Sequence, residues 1–354
     1  MGKIGNLSRT VLIRGLLVVA LLFALAIQSS CMSSVHAQKE GPIKLKLASF
    51  FPGTHPAETE LVQGWAEAIE KATDGRVIIT SYPGETLLKA ADIYNGVVDG
   101  VADIGLSSFS YNSGRFPEIE AFEQPGIVYK NSKSASKTAW EGIQELDPEC
   151  VQDTKLLMVI ATGPGDLFTR KPVNKLEDLV GMQIRATGLT ADTLALTGAV
   201  PVGMPQSDAY ESLSKGIVNG NLAPIEVLKT WKHAEVTKHL TRTPFLYNNL
   251  FYITMNIDKW NAMPEDIKNI ITEVSLDYQE KVGIGLWDRQ NQAALKWAIE
   301  EEGIEIVELS EEETQRWIQK VMPMQEKYIE KNGEAGIRAL ETAMRLAEKY
   351  NDEY

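Results

Sequence analysis

Ile43-Lys44-Leu45-Lys46-Leu47-Ala48-Ser49-Phe50-Phe51-Pro52-Gly53-Thr54-His55-Pro56 reads as a strand, a loop and the opening of a helix. Apolar and basic residues alternate through Leu47, the period of a strand with one covered face. Pro52 and Gly53 break the strand after Phe50-Phe51, and Pro56 stands where a helix tolerates proline. Leu61, Trp65, Ile69 and Ala72 then recur at helical spacing as one apolar stripe, which Gly75 closes. The rhythm repeats outward, with a strand over residues 76–81, a helix over 87–98 and a strand over 102–106. Such a βαβαβ order predicts a parallel sheet with helices on its faces. In sheets of this kind ligands sit beyond the carboxyl ends of strands. Phe50-Phe51 and Ser107-Ser108-Phe109 lie at two such ends.

Further on, a helix is expected over residues 132–146, and the strand pattern resumes at 155–161, where a second lobe begins. Residues 207–214 read as a helix, followed by Gly216-Ile217-Val218-Asn219-Gly220, a faint echo of Gly100-Val101-Ala102-Asp103-Ile104-Gly105. Residues 251–256 form a strand returning to the first lobe. The expected division is a leader over 1–37, lobe I over 38–160 plus about 247–275, and lobe II over 161–246. A helix over 264–301 bridges the lobes, and helices within 302–354 pack on them.

Lys3, Arg9 and Arg14 precede an apolar run from Leu16 to Ile27, and Val35-His36-Ala37 offers a small-residue cleavage site. That run falls short of the ~20 residues needed to span a bilayer. Cleavage after Ala37 discards Cys31, whose approach Gln28-Ser29-Ser30 suits lipidation poorly; a lipid anchor there is the alternative. Of 354 residues, 317 then remain, with Cys150 as the one thiol and no disulfide framework. Asp147 and Glu149 beside Cys150 are expected to raise its pKa and make it a poor nucleophile. Losing three cations and no acid takes the net charge from −13 to −16, which argues against nucleic acid and anionic membranes. A chain this long exceeds one comfortable core and divides into two lobes.

The mature chain keeps three histidines, His55, His233 and His239; the last two are six apart and no cysteine cluster accompanies them. No Gly-x-Ser-x-Gly elbow, phosphate loop or dinucleotide fingerprint occurs. No catalytic residue, metal ligand or cofactor is therefore assigned, which favours a binder; whether a metal assists binding stays open.

Gly181-Met182-Gln183-Ile184-Arg185-Ala186-Thr187-Gly188 carries the candidate chemistry. It reads as a short buried strand ending on an arginine and running into a helix. A guanidinium there is always charged, with donors in a fork that suits a carboxylate or phosphate. The competing reading is a structural arginine paired with an Asp or Glu.

Six segments together resemble the substrate-binding proteins of tripartite ATP-independent periplasmic (TRAP) transporters, the DctP-like family. They are Ser113-Gly-Arg-Phe-Pro117, Leu179-Val-Gly-Met-Gln-Ile-Arg185, Gly198-Ala-Val-Pro-Val202, Tyr210-Glu-Ser-Leu213, Gly216-Ile-Val-Asn-Gly220 and Met255-Asn-Ile-Asp-Lys-Trp260. Their order and spacing match essentially the whole mature chain. The resemblance implies a two-lobed α/β periplasmic binding protein with a long bridging helix and a ligand enclosed on closure. It implies delivery to a transporter with a small DctQ-like and a large DctM-like membrane subunit. Arg185 falls on the family's carboxylate-gripping arginine. A sensing subunit for a signalling partner, or a secreted enzyme on the same scaffold, are the alternatives, and fold alone does not decide among them.

Phe50, Phe51, His55, Ser108, Tyr111, Gln206 and Trp231 complete the expected ligand-binding set. Phe50 and Phe51 read as core or cleft wall, His55 as helix cap or contact, Tyr111 as contact or packing, and Trp231 as lid or core. Sialic acid binders in the family place a further arginine where this chain has Gly165 and an asparagine where it has Ala223. Both replacements remove polar grip and are expected to free volume, pointing to a bulky, partly apolar monocarboxylate. Arg170 reads as a surface residue.

Overall fold

The structure, a computed structural model, describes residues 41–354; the expected leader, its cleavage site and Cys31 lie outside the described residues. β1 (Ile43–Ser49) buries Leu45 and Leu47 on one side of its pleat and leaves Lys44 and Lys46 out, as the alternation requires. A π-helical turn, Ala57–Val62, and α1 (Gln63–Ala72) carry Leu61, Trp65 and Ile69 into the core beneath the sheet. β2 (Val77–Tyr82), α2 (Ile93–Val98) and β3 (Ile104–Ser108) follow, and β1 pairs parallel with both strands. α3 (Ser132–Leu146) opens on a capping box in which Asn131 Oδ1 accepts from Ser134 N at 2.9 Å.

β4 (Thr154–Ala161) does not begin the second sheet. Its near-continuous apolar run fits any buried strand, and only long-range pairing assigns it to the edge of the first. The second sheet starts at β5 (Asp166–Thr169) and continues through β6 (Gln183–Ala186), α4 (Gly188–Leu196), β7 (Val200–Gly203), α5 (Gln206–Ser214), β8 (Gly220–Ala223), α6 (Val227–Thr230) and β9 (His239–Thr241). β10 (Leu250–Asn256) then returns and inserts antiparallel between β3 and β4, giving the order β2-β1-β3-β10-β4. The two crossings bind each other: Thr162 N donates to Asn249 O at 3.0 Å, and Asn249 N to Thr162 Oγ1 at 3.3 Å.

α7 (Ile257–Asn261) leads to α8 (Glu265–Tyr278), and the expected single bridging helix over 264–301 is corrected to two helices. A π-helical turn, Gln279–Gly283, intervenes before α9 (Leu286–Glu300), and at its start buried Gln279 Oε1 accepts from Val159 N at 3.0 Å. α8 packs on α1 and β4, whereas α9 packs on α6 of the second lobe. The C-terminal region is not purely helical either. β11 (Glu305–Val307) pairs parallel with β9 and completes the second sheet, β11-β9-β5-β8-β6-β7. α10 (Glu311–Val321) follows, and α11 (Pro323–Glu353) breaks its regularity at Gly333, whose φ is 58°. Among the described residues no helix is long and apolar enough to cross a membrane.

Cys150 is half-buried, and burial pushes its thiol up to about 12. The acids that add to the shift are Glu118, brought near by folding, and the local Asp153, instead of Asp147 and Glu149.

Candidate functional site

β6 lies between β7 and β8, so Arg185 is flanked by Val202 and Asn221 and only 3% of it is exposed. Its Nε donates to Met204 O at 2.9 Å and its Nη1 to Gln206 Oε1 at 3.0 Å, with Asn221 Oδ1 at 3.4 Å. These partners are all neutral, and among the described residues no carboxylate pairs with Arg185. Arg242 in the same lobe shows the alternative: its Nη1 donates to buried Asp166 at 2.7 Å. A buried cation held only by dipoles is costly without an anion, and the effective dielectric there strengthens any anion's attraction.

His233 stands behind Gln206 and Asn221, its ring nitrogens 3.0 and 3.3 Å from their amide nitrogens. Burial, helped by the charge on Arg185, pushes this imidazole down to about 3, so it adds no second cation. On the opposite side, the Tyr111 hydroxyl of lobe I accepts from Gln206 N at 3.1 Å, at the first turn of α5. Burial raises the Tyr111 pKa despite the neighbouring guanidinium.

Aromatic rings build the facing wall. Phe50 stacks on Trp231 with centroids 6.3 Å apart and meets Tyr111 edge-on at 5.4 Å. Phe51 packs against Phe251, which stacks on Trp287 at 4.9 Å. Phe50 and Phe51 are thus both core and wall, because a strand end can present one ring edge to the cleft while its body stays buried. The lobes are drawn together: Ser207 Oγ donates to Glu85 Oε1 at 3.3 Å, and a Cβ on Gly188, whose φ is +51°, would meet Ser110 Cβ at 2.9 Å.

Between the walls lies a small cavity of about 20 Å³. Of the expected set, Arg185, Phe50, Phe51, Tyr111, Gln206 and Trp231 line it. His55 and Ser108 do not and stand one layer behind. His55 Nδ1 accepts from Ala57 N at 3.0 Å while its ring stacks on Phe51, and Ser108 Oγ donates to Asn249 Oδ1 at 2.9 Å. Arg170 is exposed, donates to the Leu213 carbonyl and stays away from the cavity.

The volume expected at Gly165 is absent. A Cβ there would lie 2.4 Å from Tyr247 Cδ1, so that ring already fills the space, and Ala223 is sealed in the core of the second lobe beside Phe168. Tyr247, Asn249 and Glu226 line the cavity and were not identified from sequence. Glu226 follows Pro224 just past the carboxyl end of β8, so the strand-end rule was the signal that pointed to it. Tyr247 and Asn249 sit in the crossing between sheets, where no periodicity marks them. A larger hollow of about 410 Å³, lined by Trp140 and Leu276, lies away from the interlobe wall and holds none of these groups.

Two α/β lobes closed over a cavity with one buried, anion-seeking cation define a solute receptor. The model of the bacterial extracellular solute-binding protein family 7, DctP, matches residues 47–332, and the chain belongs to that family. It is similar to a TRAP periplasmic solute-binding protein of Desulfovibrio salexigens, with 34% identity and a TM-score of 0.76 over 88% of this chain and 97% of that one. A Rhodoferax ferrireducens TRAP solute-binding protein in complex with copurified benzoate is 27% identical, with a TM-score of 0.81, over 88% of this chain and 99% of that one. The C4-dicarboxylate-binding periplasmic protein DctP of Rhodobacter capsulatus is 26% identical over 78% of this chain and 84% of its own length. The chain is thus an extracellular solute-binding protein of this family.

Proposed function

We propose that the protein captures a monocarboxylate with a flat or bulky apolar body, gripped at Arg185 and enclosed by Phe50, Phe51, Tyr111 and Trp231. The observation that carries this reading is the buried guanidinium with neutral partners alone, facing an aromatic wall. A second ligand carboxylate needs a second desolvated cation. Arg170 and Lys232 are exposed, and His55 stands behind the wall against Glu226 at 3.4 Å. The benzoate held by the Rhodoferax ferrireducens relative is of the proposed class.

In this reading the protein acts in the periplasm after losing residues 1–37, turns nothing over, and hands its ligand to a DctQ-like and a DctM-like membrane subunit. A thermal-shift screen of organic acids tests it. A ligand that binds only the folded state stabilises it by ~2.7 kcal/mol at a hundredfold excess over its dissociation constant. Benzoate, mandelate or branched monocarboxylates are expected to raise the melting temperature; a rise with C4-dicarboxylates alone overturns the proposal.

A further inference from the structure

We infer that Glu226 forms a second recognition point in the cavity, accepting a hydrogen bond from a hydroxyl or amino group on the ligand and excluding a second carboxylate. The inference rests on the monocarboxylate reading above and names what the far end of that ligand carries. Glu226 is 2% exposed and lines the same cavity as Arg185, yet the two do not pair. Its Oε2 is engaged, 3.4 Å from His55 Nε2 and accepting from the Thr230 hydroxyl. Its Oε1 makes no hydrogen bond to any described residue, and Glu226 N is fixed by donation to Asn291 Oδ1 at 2.9 Å.

The carboxylate is therefore held in place by one oxygen and offers the other to the cavity. Among the described residues His55 is the one basic group paired with it, and that ring is turned to Phe51 and Ala57 N as well. Inside a closed cleft a carboxylate oxygen wants a donor and repels an anion, so the same group selects and rejects. The surrounding groups reinforce this polarity. Tyr247, which lines the same cavity as Arg185 and Glu226, is kept protonated by burial. Arg185 thus marks the anionic end of the ligand and Glu226 its donor end.

Calorimetric titration with matched acids tests the assignment: benzoate, its three monohydroxy isomers and isophthalate, beside valerate, 5-hydroxyvalerate and glutarate. The native protein is expected to bind one hydroxylated acid about 10- to 100-fold more tightly than its unsubstituted parent, the range of a hydrogen bond to a charged group. Dicarboxylates are expected to bind most weakly. In Glu226→Gln, which keeps shape and removes charge, the hydroxyl preference should fall at least tenfold and the dicarboxylates should gain on the parent acids. An unchanged preference in Glu226→Gln overturns the inference alone, as does a native protein that prefers isophthalate or glutarate to the parent acid. Binding of no acid in either series overturns the receptor reading itself.

Discussion

The two walls of the cleft are built from different materials. Lobe I contributes Phe50, Phe51, Phe251 and the edge of Tyr111, whereas lobe II contributes Arg185, Gln206 and Glu226 with a single aromatic ring, Trp231. The lobe I wall removes water and discriminates weakly among apolar bodies, since burial energy follows area. The lobe II wall supplies the fixed charges and amides, which discriminate strongly once water is gone. Neither wall suffices alone, and Tyr111 to Gln206 is where one touches the other. The division teaches that affinity depends on closure while specificity is stored in one lobe.

The largest test of that division is Arg185→Ala. It leaves a ligand carboxylate desolvated and unpaired in a closed cleft, a loss on the order of 2–5 kcal/mol in affinity. Arg185→Lys should recover only part, because the bidentate geometry is lost. Near-native calorimetric affinity in a folded Arg185→Ala protein would remove the polar wall from the account.

A second contrast lies between buried charges. Arg185 keeps its charge, whereas burial pushes Glu123 in lobe I up to about 7, although it accepts from Ser110 Oγ at 2.7 Å and Leu250 N at 2.7 Å. A carboxyl with a raised folded pKa contributes stability that is fully present below its unfolded value of 4.5 and is lost as pH rises through about 7. Glu123→Gln should match the native protein near pH 4 and exceed it by about 3 kcal/mol above pH 7, in urea unfolding at both pH values. A difference independent of pH would contradict the assignment.

Smaller effects are expected on the apolar side. Trp231→Ala should weaken binding of aromatic acids by about 1–2 kcal/mol and that of small aliphatic acids by less, since it removes ring area without touching the guanidinium. Equal losses for both classes would mean the aromatic wall does not discriminate. The smallest effect belongs to Tyr111→Phe, which removes the acceptor for Gln206 N at the meeting of the walls. A loss of about 0.5–1.5 kcal/mol in affinity is expected by titration, shared by all ligands alike.

Much of the first lobe was legible because strand alternation and helix stripes are local: the residues that made them, from Ile43 to Leu106, fold against one another in order. The buried placement of Arg185 was legible because a charged residue in an apolar strand is conspicuous, and the family motif supplies its expected role. Tyr247 and Asn249 were hidden in a crossing without periodicity, and Gly165 misled because an absent side chain does not reveal which ring moves into its place. The bridging run looked continuous because helical spacing persists through the π-helical turn at Gln279, where the side chain meets Val159 far along the chain. Local pattern alone does not show which sheet β4 joins, since its partner β10 lies about a hundred residues away.

Calorimetric titration of the native protein with succinate and malate, beside benzoate and mandelate, tests the central claim most directly. At least one of the monocarboxylates is expected to bind in the micromolar range or tighter, and the C4-dicarboxylates far more weakly. Micromolar binding of succinate or malate with none of the monocarboxylates would contradict it.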